Sequence, residues 1–190
     1  MWPVARRLAA WDHALLTVVV NRRRPDVTRL ARLVTLVGEP AVMAFPVLVT
    51  CVRGRRWRPI VVFTSGLAVR AVLSRLIGRA RPPQSWWLAE PTGPSLPSRH
   101  TATATLGALL LGEQLGRGHA VQIAVVIAGS VGASRIYLGV HWPTDVAAGA
   151  AFGVLWWALG VMDFRNLHQQ PQTLARPCIE RSLHTESIRG

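Results

Sequence analysis

The sequence predicts an all-α fold: an integral membrane helical bundle of about five transmembrane helices, preceded by a helix lying at the membrane interface. Three observations carry this. Half of the 190 residues are hydrophobic before the 16 glycines are added, and only 16% are charged, which is more apolar surface than a small soluble domain can cover. Residues 118–134 and 146–162 each run 17 residues without Asp, Glu, Lys or Arg, close to the ~18 expected of a spanning helix. Most links between apolar runs are short, as they are between neighbouring helices of a bundle.

Taken in order, the first element is the apolar stretch Leu8 to Val20, too short to span and interrupted by Asp12 and His13; it reads as an interfacial helix within residues 1–29. Five candidate spans follow at about 30–52, 59–78, 99–115, 119–138 and 143–163, once a charge near an end or on a protein-facing side is allowed. The long link, 79–98, contains Pro82, Pro83, Pro91, Pro94 and Pro97 and cannot be one regular helix. Residues 1–163 are therefore expected to form a membrane domain, and the polar stretch 164–190 a disordered tail.

The net charge of +13 comes from 22 basic residues, all of them arginine. They fall in short clusters and at isolated positions between apolar runs, with no continuous basic helix, so a nucleic-acid partner is not expected. Cys51 and Cys178 suggest neither a disulfide framework nor a metal knuckle.

Four places hold polar residues that a bilayer protein keeps only at a cost. Arg79 to Pro83 follows the second span, Pro97-Ser98-Arg99-His100 opens the third, Ser134-Arg135 closes the fourth, and His141 to Asp145 opens the fifth. Parity of the spans brings all four to one side of the membrane. Singly, each has a plain reading: an arginine at a helix end reaches for headgroups, Ser98 caps a helix, and Asp145 complements a helix dipole. Together they suit phosphate chemistry. Arginine forks bind phosphate oxygens in pairs, and the helix opening at Ser98 aims free N–H groups at an anion. One of two histidines attacks phosphorus, oriented by a carboxylate, while the other protonates the leaving oxygen.

Arg81-Pro82, Pro97-Ser98-Arg99-His100, and Ser134-Arg135 followed by His141 and Asp145 resemble the three signature motifs of the type 2 phosphatidic acid phosphatases, the lipid phosphate phosphatases related in fold to vanadium haloperoxidases. The resemblance covers about 79–157. It implies a metal-independent and cofactor-free phosphatase with His141 as the nucleophile, Asp145 as its partner, His100 as the general acid, and Arg81, Ser98 and Arg135 as phosphate ligands. Two positions depart from the family pattern: Ser74 stands where the first motif has lysine, and Arg99 where the second usually has glycine. On an ideal helix Arg70 shares the face of Ser74, whereas Arg75 points roughly 100° away, so Arg70 is the expected replacement for the lysine and Arg99 the competing one.

The expected function is hydrolysis of a membrane lipid phosphomonoester or diphosphate. By the resemblance, a polyprenyl phosphate or diphosphate comes first, then phosphatidic acid or phosphatidylglycerophosphate. The residues themselves leave open a non-catalytic protein that binds a phosphate lipid, and a metal-dependent hydrolase with His100, His141 and Asp145 as ligands. Nine arginines on the face opposite the site, against seven in the N-terminal segment, place the site outside the cytoplasm of a bacterial plasma membrane.

Overall fold

The structure, a computed structural model, describes residues 3–168. Its helices are α1 (Pro3–Asn21), α2 (Pro25–Leu36), α3 (Pro40–Gly54), α4 (Arg58–Ile77), α5 (Arg99–Gly112), α6 (Arg117–Tyr137) and α7 (Pro143–His168). Proline marks several starts: α2, α3 and α7 begin on Pro25, Pro40 and Pro143, and Pro59 is the second residue of α4. Proline's fixed φ suits the first turn, and the N–H it lacks has no partner there in any case. The helix α4 stops at Gly78, whose φ of 60° is the left-handed conformation that glycine adopts without strain.

Among the described residues, three helical stretches are long and apolar enough to cross a membrane: Arg58–Ile77, Gly118–Tyr137 and Pro143–Val161. The pair α2 and α3 qualifies only when taken together, bent by 44°, as a broken span or a re-entrant loop. A single span had been expected over 30–52. It divides because Pro40 pushes Glu39 into an extended conformation, with φ −70° and ψ 133°. The break also packs tightly. A Cβ on Gly38 would lie 2.7 Å from Val131 Cγ1 and 2.8 Å from His100 Cβ, so glycine lets this bend press against α5 and α6.

The expected span at 99–115 is also different. The helix α5 has only 14 residues, followed by a 3-10 turn at Glu113–Leu115, and at ~1.5 Å per residue it is about 21 Å long, short of a ~30 Å hydrocarbon layer. It is the core of the bundle. From His100 to Leu110 every residue is buried, and α5 packs against α3, α4 and α6. Alanine, glycine and threonine suit a helix surrounded by other helices, because small side chains let backbones approach. On the α7 side, a Cβ on Gly149 would meet Ser98 O at 2.7 Å, and one on Gly153 would meet Thr105 Cβ at 2.8 Å. Large apolar side chains such as Phe45, Leu76 and Val125 lie exposed on the outside, as a lipid-facing surface requires.

At the N-terminus α1 is a 19-residue helix that starts five residues before the expected Leu8. One compact unit ends at Gly160, and α7 continues to His168. The expected tail at 164–190 lies, from 169 onward, outside the described residues.

Candidate active site

Most site residues are carried by helix ends or connections, with Arg70 inside α4. Arg79 and Arg81 follow the C-terminus of α4, Ser95 to Ser98 lead into α5, and His141 lies in the tight connection from α6 to α7. His141 is nearly fully buried. Its Nδ1 faces Asp145 Oδ2 at 3.6 Å and Ser95 Oγ at 3.5 Å, while its Nε2 lies 3.2 Å from Arg81 Nη1. A guanidinium only donates. Nε2 therefore presents a lone pair, and the ring proton sits on Nδ1, facing the carboxylate. Burial is the main force on this imidazole, and with Arg81 and Arg135 acting in the same direction against the opposing pull of Asp145 its pKa is pushed down to about 4.

Asp145 has no exposed surface and accepts several donors: Arg79 Nη1 at 2.6 Å, the Trp142 N–H at 2.9 Å, and the hydroxyl of Ser95. Ser98 is equally buried. Its N–H donates to the Asp145 carbonyl at 3.0 Å, which ties the start of α5 to the start of α7. It occupies the N-cap position of α5 without making the side-chain cap, and its oxygen instead accepts the Thr101 hydroxyl at 3.1 Å.

His100, on the first turn of α5, places Nε2 2.7 Å from Glu39 Oε1. Arg99 Nη2 reaches the same carboxylate at 3.3 Å. Glu39 is the residue at the break between α2 and α3, so the bend that divides the expected first span delivers this contact. His100 also lies within electrostatic reach of Arg135, Arg99, His141 and Arg81. Arg135 is buried and donates to Thr35 Oγ1 at 3.0 Å, and Arg70 donates to the carbonyl of Pro97 at 3.1 Å. Both keep a buried Nε–H with no partner, the kind of donor an anion would satisfy.

Arg81 is the most constrained of the arginines. It donates to the carbonyls of Gly93 at 2.8 Å, Val140 at 2.7 Å, Thr92 at 2.9 Å and Pro94 at 3.2 Å. Burial draws its pKa below the usual arginine range, Asp145 opposes that, and Arg70 and Arg99 add to it. A cavity of ≈ 220 Å³ adjoins it, lined by Arg70, Ser74, Arg75 and Arg99 and by the Thr92 to Pro94 link. The structure thus places Arg70 and Ser74 on one cavity as the helical phase implied, adds Arg99 to it from α5, and corrects the phase argument for Arg75, whose long side chain reaches the same cavity. Arg75 remains exposed and Arg70 half-buried.

All eight residues singled out in the sequence (His141, His100, Asp145, Arg81, Ser98, Arg99, Arg135 and Arg70) gather at this end of the bundle. Sequence reasoning missed Glu39, Ser95, Thr35 and Asp12. Asp12 and Glu39 carried a usable signal, since each is an acidic residue set among apolar runs. Ser95 and Thr35 carried none. The metal-dependent alternative required His100, His141 and Asp145 to converge as ligands, but among the described residues no group of three or more His, Cys, Asp or Glu side chains is placed to hold a metal ion.

A helical membrane bundle that closes a carboxylate-oriented histidine among arginines is the architecture of a membrane-embedded phosphatase. The chain belongs to the PAP2 superfamily, whose family model matches residues 55–169. It is 32% identical over 139 residues to decaprenylphosphoryl-5-phosphoribose phosphatase of Mycobacterium tuberculosis, covering 68% of this chain and 76% of that protein. The enzyme of the same name in Mycolicibacterium smegmatis is 33% identical over 85 residues, 43% of this chain and 45% of that one. In fold it is similar to the transmembrane PAP2-type phosphatidylglycerolphosphate phosphatase from Bacillus subtilis, with a TM-score of 0.74 and 25% identity over 87% of this chain and 90% of that one. The fold of Aquifex aeolicus LpxE also matches, with a TM-score of 0.66 and 24% identity over 78% of this chain and 93% of that one. The protein is a membrane lipid phosphatase of this superfamily.

Proposed function

We propose that the protein removes a terminal phosphate from the headgroup of a polyprenyl-linked lipid, with a phosphorylated sugar on a polyprenyl phosphate as the first candidate substrate and a polyprenyl diphosphate as the second. The relative from Mycobacterium tuberculosis, whose name states such a substrate and of which this chain covers 76%, supports this choice over phosphatidic acid and phosphatidylglycerophosphate.

For the chemistry, the observation that carries the reading is His141, held with Nδ1 toward Asp145 and the lone pair of Nε2 toward the arginines. The incoming phosphate takes the place of Arg81 Nη1 at that lone pair, and the guanidinium turns to a phosphate oxygen. Nε2 attacks phosphorus as the P–O bond to the lipid breaks, and His100 gives its proton to the departing oxygen. The Nδ1 proton faces Asp145, which offsets the charge that develops on the ring. Water then attacks phosphorus and returns its proton to His100, the P–N bond breaks, and phosphate leaves. Arg81, Arg135, Arg99 and Arg70 neutralise the phosphoryl oxygens, with Arg70 supplying the charge absent at Ser74, and Ser98 donates its hydroxyl. We assign this chemistry to residues 1–163, at the extracytoplasmic face of a bacterial plasma membrane.

Phosphate release by the purified protein from a polyprenyl-phosphate sugar phosphate, a polyprenyl diphosphate, phosphatidic acid and phosphatidylglycerophosphate, each with and without chelator, tests the reading. Preferred turnover of the first two, unaffected by chelator, is expected. Preference for a glycerophospholipid overturns the substrate choice, and loss of activity in chelator with recovery on adding zinc overturns the mechanism.

A further inference from the structure

We infer that Asp12, on α1, is a positioning residue for catalysis, which balances the charge of Arg79 and so leaves the Asp145 carboxylate free to serve His141. The inference rests on the proposed role of His141 as nucleophile, and it concerns a residue outside the 55–169 stretch matched by the family model.

Asp12 is only 1% exposed although the residues around it on α1 are largely open. One of its oxygens, Oδ2, accepts Arg79 Nη2 at 2.7 Å and the Thr144 hydroxyl at 2.5 Å, and Oδ1 accepts the Thr144 N–H at 2.9 Å. Arg79 spends its other terminal nitrogen on the catalytic side, donating from Nη1 to Asp145 Oδ1 at 2.6 Å and to Thr144 Oγ1 at 2.7 Å. The Thr144 hydroxyl therefore accepts from Arg79 and donates to Asp12. One guanidinium thus bridges two buried carboxylates, one that faces the histidine and one that does not.

Two consequences follow from this bridge. The first is mechanical. Thr144 belongs to the first turn of α7, and its N–H is one of the donors a helix start leaves without an intrahelical partner. By taking it, Asp12 fixes the turn that carries Asp145, four residues after His141. The second is electrostatic. With Asp145 as its single carboxylate partner, Arg79 would form a net-neutral pair with it beside the imidazole. With Asp12 present, the Arg79 charge is already matched, and the Asp145 charge acts on the ring. The groups facing His141 are Asp145 and Ser95, Arg81 at Nε2, and Arg135 and His100 at longer range. Asp12 works on it only through Arg79 and Thr144.

Charge exchange in the full-length detergent-solubilised protein tests this, with phosphate release from phosphatidic acid in mixed micelles as the readout. His141→Ala sets the baseline and must abolish release. Asp12→Asn keeps the shape and an acceptor for Thr144 but removes the charge. Its kcat is expected to fall at least tenfold with KM changed less than twofold, and the acid limb of kcat/KM to move to lower pH, because the loss of one negative charge near the ring disfavours protonation of His141. Arg79→Gln leaves Asp12 unmatched and is expected to move that limb to higher pH. Asp12→Asn/Arg79→Gln removes both charges and should return the limb to its wild-type position, with kcat at least fivefold above that of Asp12→Asn. A structural role alone predicts a lowered Tm and less folded enzyme, with the limb unmoved and no recovery in the double variant. Wild-type kcat and limb in Asp12→Asn, or a double variant no better than either single one, overturn the inference. If Asp12→Asn does not fold, the direction of the limb in Arg79→Gln decides alone, and an unmoved limb overturns it. Release by His141→Ala at the wild-type rate refutes the nucleophile and the inference together, whereas an inactive His141→Ala with an unaffected Asp12→Asn refutes only the inference.

Discussion

Glu39→Gln should separate the protonation of the leaving group from the attack on phosphorus. Glu39 Oε1 lies 2.7 Å from His100 Nε2, with the histidine side chain 7% exposed and the glutamate 38%. A hydrogen bond to a charged group is worth about 1.5–3 kcal/mol, and partial exposure of the glutamate brings this to about 1–2 kcal/mol. The carboxylate favours the doubly protonated imidazole that acts as an acid, and a carboxamide does so much less. Since ~1.4 kcal/mol is tenfold in rate, the substitution should slow hydrolysis of an alkyl phosphate about 5- to 30-fold. An aryl phosphate with a leaving group such as p-nitrophenolate needs no proton and should lose less than threefold. Steady-state phosphate release from the two substrates, in one detergent and at one pH, measures the difference. Equal losses on both would show that Glu39 supports the fold or phosphate binding and not the proton, and unchanged alkyl hydrolysis would remove His100 with Glu39 from the acid role.

Burial holds the His141 pKa near 4, below its ordinary value, so the imidazole stays neutral and nucleophilic through ordinary pH; the acid limb of kcat/KM should lie near pH 4, with a fall of about tenfold per pH unit below it, and an acid limb near 6.5 would refute the burial argument. Arg70→Gln should cost far more activity than Arg75→Gln, because Arg70 is half-buried and held on Pro97 O while Arg75 is exposed, and Ser74→Lys should recover part of the loss; equal effects at 70 and 75 with a larger one in Arg99→Gln would transfer the role to Arg99. Gly38→Ala forces a methyl to 2.7 Å from Val131 Cγ1 and 2.8 Å from His100 Cβ, an overpacking cost of about 1–3 kcal/mol, so a lowered Tm in detergent should accompany a loss of alkyl phosphate hydrolysis, and an unchanged Tm would contradict the tight packing of the bend.

The three lipid-facing spans were legible in the sequence because lipid imposes length and apolarity together, as in α4, α6 and α7. The bend between α2 and α3 had a local signal in Gly38-Glu39-Pro40, which a count of apolar residues averages away. The short α5 had none of that kind: a helix enclosed by protein need not match the bilayer, so its length is set by its neighbours. Site residues show the same division. Parity of the spans gathered the histidines and arginines at one end without any knowledge of contacts. Which carboxylate each of them faces depends on how α1 and the α2–α3 bend dock against the link 79–98, and no spacing in the sequence encodes that docking. Asp12 and Glu39 stood out as acids among apolar residues, yet only the folded chain shows that one meets Arg79 and the other His100.

At the other end of α5, Glu113 accepts Arg58 Nη1 at 2.8 Å and the Trp157 indole N–H at 2.8 Å, and Arg58 Nε donates to Gly160 O at 3.2 Å. Between that knot and the histidines, α5 is filled by Leu106, Leu109 and Leu110, all buried. An anion held by the arginines therefore has apolar side chains, not polar ones, on the α5 side facing Glu113. On the proposed mechanism, the liberated phosphate and the shortened headgroup both leave at the end of the bundle where the histidines and arginines lie.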